Sequence, residues 1–561
     1  VAIANGMESL RSGHADLMIV GGSDPLAYLS FAGFSSLSAL SEHHCAPYTR
    51  SDGLTLGEGA AFLVLEEQQA AEQRGATILA ELRGYGLSAD AHHPTAPDPR
   101  GRGARKAMAA ALDMASTTVE QLDYINGHGT GTPANDSGEL RLIAGLADAG
   151  TPVSSTKSMI GHTLGAAGAV ESVVSVKALL EQMLPPTHVP ADDVAQNLRR
   201  QRAEVDGVDI VPDRARSAKI ELVASNSFAF GGNNATVLFS LPTSDVTAPP
   251  LLTVPLEVTG VGAVAGNAAN ADEIADRLFT GVPLYDQIAT IAPGVKYPIG
   301  TVPDKRLSAG INPRSLRRLD RLSRLAVQAV AELLADANLS AEQVGSAGLV
   351  FATGYGPLSA VEEFQRVLLT TGEGDSRVFP NTVMNAAAGH VALLNQIHGP
   401  TATFCAGGTA SISALHFAGQ LIRSGACEKV ILVSADEATQ VLLSGFHGSR
   451  GHLSRESLVP RASSGRVFSE GAVALLLEKP DTHPERPVLA EIMGFGMAGD
   501  GSPAGTLHAD PEGILRAMRG ALLDAGADPK AVDVVIGVAC GRTLPDALEE
   551  TALERLGLRE N

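Results

Sequence analysis

Three glycine-rich segments contain the residues best suited to chemistry: HGTGTPANDSGE (128–139), KSMIGHTLGAAG (157–168) and NSFAFGGNNA (226–235). Each segment ends or follows an apolar run of strand length. Together they supply the imidazoles of His128 and His162 and the ammonium group of Lys157. Two histidines on separate rigid loops can donate two hydrogen bonds to one developing oxyanion, which in a dry pocket contributes several kcal/mol of transition-state stabilisation. The FGG turn adds a place where the backbone can approach a substrate closely.

Each segment taken alone has a structural explanation. A histidine beside glycines is most often a turn residue, and a single lysine is most often a solvated surface charge. The HHC triplet (43–45) is not predicted to bind zinc, because adjacent side chains project apart and no second ligand group has suitable spacing. GVGAVAG (260–266) lacks the G-x-G-x-x-G spacing and is interpreted as a strand-to-helix turn. The order of the three segments, with Lys157 and His162 five residues apart, makes the combination informative.

The chain also repeats itself, which four pairs of matching segments show: 10–24 with 422–436, 57–67 with 469–479, 79–90 with 489–500, and 123–133 with 533–543. The offset stays near 412 residues, with slips of about two residues. We therefore expect two copies of one long unit, at 1–242 and 255–561, joined by a polar, proline-rich linker at 243–254. The first copy is expected to lack its beginning and the second its end.

Composition indicates a multidomain α/β protein. The chain has 561 residues, 60 of them glycine, and a hydrophobic content of 44%. Apolar runs of strand length alternate with stretches of helical spacing, such as 103–116 and 315–337. Four cysteines without a CxxC pair favour a reducing, cytoplasmic setting and argue against a zinc ribbon. No metal site, apolar run of membrane-spanning length or signal peptide is predicted.

A net charge of −20 argues against a nucleic-acid partner and against an anionic membrane. The same charge would repel an acidic protein partner unless basic residues cluster locally.

A fourth segment, RSDGLTLGEGA (50–60), completes a set of motifs in which the chain resembles the β-ketoacyl-ACP synthase family of the thiolase superfamily. The resemblance is closest to the KAS II and type II polyketide ketosynthase branch. It implies a five-layer α/β/α/β/α fold in two partial copies and a decarboxylative Claisen condensation of acyl and malonyl thioesters. It also implies an acyl carrier protein as partner, phosphopantetheine arriving on that carrier, no metal or redox cofactor, and a dimer-like pairing of the two copies.

The resemblance assigns roles to residues of the first copy. His128 and His162 match the two histidines of the family's Cys-His-His triad, which polarise the malonyl carbonyl and stabilise the enolate left by decarboxylation. Lys157 matches the supporting lysine, and we expect its charge to lower the pKa of both imidazoles. The remaining assignments are acidic residues that organise Lys157 and the loop, threonines that bind phosphopantetheine, and the glycine-rich gate: Asp136, Glu139, Thr130, Thr132, Phe230 and Gly231.

TFCAGGTAS (403–411) raises the question of the nucleophile. The family pattern places the nucleophile at position 408, which is glycine, and Cys405 is expected to be a small buried residue at the end of a strand. The repeat offset places the matching residue of the first copy about five residues before Val1, where we expect a cysteine, and it maps His128 onto Cys540. The second copy therefore resembles a non-catalytic chain-length factor. A plain fatty-acid elongating synthase and a catalytically inactive scaffold remain alternatives, and the acyl starter and product length stay open.

Overall fold

The computed structural model describes the chain from Val1 to Leu558 except for a set of short segments: 147–149, 189–207, 212–213, 244–250, 252–254, 309–310, 450–451, 456–464, 504–505, 507 and 539. Most of the expected linker at 243–254 lies outside the described residues. None of the helices in the described ranges combines the length and hydropathy needed to cross a bilayer.

The described residues of the first repeat unit form ten strands. β1 and β2 form an antiparallel pair, and six others form a sheet in the order β3-β10-β9-β4-β5-β7. The short β6 and β8 pair with each other. Their bounds are β1 Leu17–Asp24, β2 Gly59–Glu66, β3 Glu81–Ala89, β4 Tyr124–Asn126, β5 Pro152–Ser154, β6 Met183–Leu184, β7 Asp209–Ile210, β8 Arg216–Ser217, β9 Leu222–Ala229 and β10 Asn233–Ser240.

Helices cover both faces of the six-stranded sheet. Alternate strand residues point to opposite faces: Ile125 and Ala224 pack with Met108 of α4, whereas Tyr124 and Val223 pack with Leu179 of α7. The helices of this unit are α1 Ala2–Arg11, α2 Tyr28–Ser36, α3 Gln68–Gln73, α4 Arg102–Met114, α5 Pro133–Leu146, α6 Lys157–Ile160 and α7 Ala167–Glu181.

The second unit is built on a mixed sheet in the order β15-β14-β16-β18-β11-β19, beside a three-stranded sheet, β12-β13-β17. Leu349 and Phe351 face α10, and the alternate residues Val350 and Ala352 face α14. The strands are β11 Leu256–Ala265, β12 Gln287–Ala292, β13 Val295–Gly300, β14 Gly348–Thr353, β15 Thr401–Cys405, β16 Lys429–Asp436, β17 Phe468–Ser469, β18 Gly471–Glu478 and β19 Ala490–Ile492.

The helical stretch expected at 315–337 is divided in two, because the Asp320 side chain accepts a hydrogen bond from the Ser323 amide and caps a new helix. The helices of the second unit are α8 Ala271–Phe279, α9 Pro313–Leu316, α10 Arg321–Ala337, α11 Ala341–Ser346, α12 Leu358–Thr371, α13 Ala386–Asn395, α14 Ala410–Arg423, α15 Gln440–Gly448, α16 Glu512–Asp524 and α17 Thr543–Leu556.

The strand register repeats between the units. β1 pairs with β2 from Leu17↔Glu66 to Asp24↔Gly59. β16 pairs with β18 from Lys429↔Glu478 to Asp436↔Gly471. Each residue number in the second pairing equals the corresponding number in the first pairing plus 412. The internal similarity of the sequence is therefore also a similarity of structure.

Four phenylalanines join the two units at an aromatic junction, which we define as Phe34 and Phe230 of the first unit and Phe364 and Phe379 of the second. The Phe34 ring centroid lies 5.6 Å from that of Phe230 and 5.3 Å from that of Phe379. Phe379 in turn lies 5.6 Å from Phe364. A single apolar cluster therefore contains side chains of both units.

Substitution of Gly33 tests how tightly this junction is packed. A methyl group added to Gly33 of α2 would overlap the Phe379 ring, whereas one added to Gly445 of α15 would meet open space. We expect Gly33→Ala to lower the free energy of unfolding by about 1–3 kcal/mol. Gly445→Ala should raise it by about 0.5 kcal/mol, since alanine is the better helix former. Chemical denaturation measures both, and an unchanged midpoint for Gly33→Ala would contradict a close-packed junction.

Candidate active site

The three glycine-rich segments meet at one edge of the first unit's six-stranded sheet. β9, β4 and β5 are neighbouring parallel strands, so their carboxyl ends lie at the same edge. The segment with His128 follows β4, the segment with Lys157 follows β5, and the turn with Phe230 follows β9. The sheet therefore places the predicted residues side by side.

The two imidazoles are neighbours. The ring centroids of His128 and His162 lie 5.4 Å apart with the planes nearly perpendicular. The ring centroid of Phe228 lies 5.6 Å from that of His128. The His128 residue is 6% exposed. His162 is half-buried.

Hydrogen bonds indicate the same tautomer for both rings. Nδ1 of His162 accepts a hydrogen bond from the Leu164 amide at 3.1 Å. Nδ1 of His128 lies 3.4 Å from Nζ of Lys157, an ammonium group that can only donate. Since Nδ1 is the acceptor in each ring, the neutral imidazoles carry their proton on Nε2. Both side chains can therefore act as Nε2–H donors.

Lys157 forms a buried ion pair with Glu171 of α7, and each side chain is 1% exposed. The expectation that Asp136 and Glu139 organise Lys157 is wrong, because Glu171 is the carboxylate that contacts it. The sequence reasoning missed Glu171. Its signal was an acidic residue inside the apolar stretch AGAVESVVSV (167–176), where an ionised side chain needs a partner.

Asp136 and Glu139 instead hold the backbone of the first histidine loop. Glu139 accepts hydrogen bonds from the amides of His128 and Gly129, both at 2.8 Å. Asp136 accepts from the Gly131 amide at 3.1 Å. The hydroxyls of Thr130 and Thr132 lie 2.9 Å apart in this loop. The loop is therefore fixed by charge-assisted hydrogen bonds from its own helix, α5.

Burial keeps both histidines neutral. Burial, with smaller effects from Lys157 and His162, lowers the pKa of His128 well below its usual range. Burial and then Lys157 lower the pKa of His162 to about 3. The charge of Lys157, predicted from the sequence as the cause, has a smaller effect on both pKa values than desolvation. Burial also raises the pKa of Glu171 to about 7, opposed by Lys157.

The gate turn needs glycine, since Gly231 and Gly232 have φ values of 79° and 77°. The Gly231 amide donates to the Pro94 carbonyl at 2.7 Å. The Phe230 carbonyl accepts a hydrogen bond of 2.6 Å from Nδ2 of Asn385, a residue of the second unit. Ala229 has φ −126° and ψ 161°, an extended conformation open to any residue, so alanine introduces no strain there.

Two interpretations of the second unit need correction. Cys405 does end β15, but it is exposed rather than buried. Cys540 is not the counterpart of His128. The Val538 amide donates to Glu549 at 2.8 Å, as the His128 amide does to Glu139. The local offset is 538 − 128 = 549 − 139 = 410, so Cys540 corresponds to Thr130.

Gly408, at the expected nucleophile position, lies in the turn Gly407–Thr409 that leads into α14. In the first unit Cys45 is buried, and its Sγ lies 3.3 Å from the Thr130 carbonyl. Burial raises the pKa of Cys45 to about 12. His43 and His44 are exposed. Nowhere in the described ranges do three or more His, Cys, Asp or Glu side chains form a group able to hold a metal ion.

Comparison with known proteins gives the family. The description "Beta-ketoacyl synthase, N-terminal domain" matches residues 1–71 and 254–483, and "Beta-ketoacyl synthase, C-terminal domain" matches 79–189 and 489–561. The chain is 43% identical over 250 residues to 3-oxoacyl-[acyl-carrier-protein] synthase 2 of Vibrio cholerae and 42% identical over 249 residues to that of Synechocystis. Each match covers 42% of this chain and 58% of the relative.

A structural comparison gives the fold. The solved structure described as "PfaC Keto synthase-Chain length factor" superposes with a TM-score of 0.81 at 20% identity. The match covers all of this chain and 64% of that one. The thiolase-like α/β fold expected from the motifs is thus confirmed.

Two carboxylates on α7 provide a matched test of the buried ion pair. Glu171→Gln leaves the Lys157 charge buried without a partner, so we expect the free energy of unfolding to fall by about 3–5 kcal/mol. Glu181→Gln removes a pair with Lys177 whose side chains are about two-thirds exposed, and should cost less than about 1 kcal/mol. Urea denaturation measures both. Equal losses would show that the Lys157 charge gains nothing from Glu171.

Proposed function

Because the chain belongs to the β-ketoacyl synthase family, we propose that its first unit is a ketosynthase that condenses acyl and malonyl thioesters with loss of CO2. The observation that carries this proposal is the pair of neutral imidazoles, each with an Nε2–H donor, at one sheet edge. Two such donors stabilise the negative charge that develops on the thioester oxygen as the malonyl group loses CO2.

The depressed pKa values support this role. An imidazole that is neutral across the physiological range keeps its Nε2 proton for donation and does not transfer it to the enolate prematurely. The reaction type needs no separate cofactor, because a phosphopantetheine arm on an acyl carrier protein presents the thioester. Thr130 and Thr132 beside His128 are the proposed contacts for that arm.

The covalent acyl step needs a thiolate in addition. Cys45 is not a candidate, since it is buried and its pKa is raised to about 12. The residues of this unit therefore support the decarboxylation and enolate-stabilising half of the reaction.

We assign the second unit, 255–561, a non-catalytic role like that of a chain-length factor. Glycine stands at position 408 and Val538 at the position of the first histidine. Its side chains nonetheless reach the gate of the first unit through Asn385 and the aromatic junction. We propose that this contact limits the length of the acyl chain.

A fused pair of units, 1–242 and 255–561, accounts for the seam between them. Nε2 of Gln420 on α14 lies 3.2 Å from Oγ of Ser12, which directly follows α1. The rings of His14 and His416 lie 4.5 Å apart. α1 and α14 are equivalent elements of the repeat, so the units meet as the halves of a pseudo-dimer.

A basic patch supports an acidic carrier as partner despite the net charge of −20. Arg314, Arg317 and Arg318 are exposed, and in the described part of the chain no carboxylate pairs with them. Burial lowers the pKa of His93 and of His390, and the charge of Arg318 adds a smaller lowering in each case. His93 precedes Pro94, whose carbonyl accepts the Gly231 amide, so the patch lies beside the gate loop.

Release of CO2 from malonyl-pantetheine tests the proposed chemistry. His128→Ala and His162→Ala should each lower the rate about 10²–10³-fold, whereas exposed His43→Ala should not. The pH profile should not fall between pH 8 and 5 through imidazole protonation. The pKa of His162 is lowered to about 3 and that of His128 is lowered well below its usual range, so both rings stay neutral as the pH falls toward 5. A rate insensitive to both substitutions would overturn the proposal.

Carrier binding tests the partner. Reversing the patch with Arg314→Glu, Arg317→Glu and Arg318→Glu should weaken binding of an acidic acyl carrier protein at least tenfold at about 0.1 M salt. The matched control reverses three exposed lysines of the first unit, Lys106→Glu, Lys177→Glu and Lys219→Glu, with the same change in net charge. Equal losses in calorimetric titrations would show that only net charge matters.

A further inference from the structure

Residues 45–57, which we name the strap, contact both histidine loops. At one end the strap binds the backbone of His162: its amide donates to the Thr55 carbonyl at 2.7 Å, and its carbonyl accepts from the Gly57 amide at 3.0 Å. Both main-chain groups of His162 are therefore used by the strap, in a short parallel bridge centred on Leu56.

The other end of the strap reaches His128 through Tyr48. The Tyr48 side chain is fully buried, and its hydroxyl donates to Glu139 at 2.8 Å. The same Glu139 carboxylate accepts from the amides of His128 and Gly129. Farther along the loop, the Gly53 amide donates to the Gly131 carbonyl at 2.8 Å.

The fit of Tyr48 leaves the loop little freedom. A Cβ atom added to Gly127 would overlap the Tyr48 hydroxyl, and one added to Gly129 would lie 2.7 Å from Cζ of the same ring. The loop thus approaches the tyrosine with no side chains between them. Glycine at these two positions is required for this approach.

The strap is held in a backbone conformation that non-glycine residues rarely adopt. Tyr48 has φ 59° and Ser51 has φ 48°, which costs on the order of 1 kcal/mol per residue. Asp136 offsets this cost: one oxygen accepts from the Tyr48 amide at 2.8 Å and from the Ser51 hydroxyl at 2.6 Å. Strain that is kept by such specific contacts points to a functional constraint.

We propose that the strap sets the separation and orientation of the two Nε2–H donors, with Tyr48 as a positioning residue for His128 and Thr55–Gly57 as the positioning element for His162. The inference rests on the proposed function. Because one continuous segment contacts both loops, the two imidazoles keep their relative position when the loops move together. Neither Tyr48 nor Gly57 needs to touch the substrate for this role.

Two substitutions separate the two ends of the strap. Tyr48→Phe keeps the ring and removes the hydrogen bond to Glu139. Gly57→Ala places a methyl group against the Ile160 carbonyl and displaces the His162 loop. Tyr85→Phe, at a tyrosine that is 2% exposed in the seam between the units, is the matched control.

The first readout is the ¹⁵N chemical shifts of the imidazole nitrogens in histidine-labelled protein. Tyr48→Phe should change the shifts of His128 and leave those of His162, Gly57→Ala should change those of His162, and Tyr85→Phe should change neither. The second readout is CO2 release from malonyl-pantetheine. Tyr48→Phe should lower kcat about tenfold with KM unchanged, because misplaced donors weaken transition-state stabilisation and not ground-state binding.

Unchanged His128 shifts and unchanged kcat in Tyr48→Phe would overturn the role of the strap. If the unsubstituted protein releases no CO2, the proposed function fails, while the imidazole shifts still test the strap. If Gly57→Ala does not fold, the nearly isosteric Tyr48→Phe decides alone, since a purely structural tyrosine would alter stability without moving one imidazole selectively.

Discussion

One buried positive charge organises the candidate site. Lys157 lies between Glu171, which neutralises it, and Nδ1 of His128, which it forces into the acceptor role. An ammonium ion in this dry environment is tolerable only with a carboxylate at hand. The tautomer of His128 and the need for an acidic residue within apolar α7 follow from that group, and its charge adds to the larger effect of burial in keeping both rings neutral. The other residues of the site are therefore arranged around a charged group that is itself shielded from solvent.

The two units do not form separable bodies around this site. A shared core brings Ala4 and Met7 of α1 together with Phe417 of α14 and strands of the second unit's sheet. The gate of the first unit is held from the second by Asn385, and its phenylalanine packs into a cluster with Phe379 behind it. The position of the gate turn in the first unit therefore depends on residues more than a hundred positions away in the chain.

Local sequence was sufficient to predict the candidate site residues that lie in short motifs. His128, Lys157, His162 and the FGG turn each follow a strand-like run, and parallel strands bring such ends together. Sequence failed where the partner is distant or the alignment slips. Glu171 and Tyr48 act only through tertiary contacts. Cys405 is exposed, although a cysteine at the end of an apolar strand is expected to be buried. The general offset of 412 places Cys540 opposite His128, whereas the local offset is 410, as the hydrogen bonds of Val538 and Cys540 show.

The second unit keeps the hydrogen bond from the loop amide to a helix carboxylate, with Val538 and Glu549 in place of His128 and Glu139. It has a valine in place of the imidazole but the same supporting hydrogen bond. One polypeptide therefore contains two versions of the same loop framework, one with the imidazole and one without it. What the two loops still share is what folding demands of them. What only the first loop has is the imidazole of His128, which folding of the loop does not require.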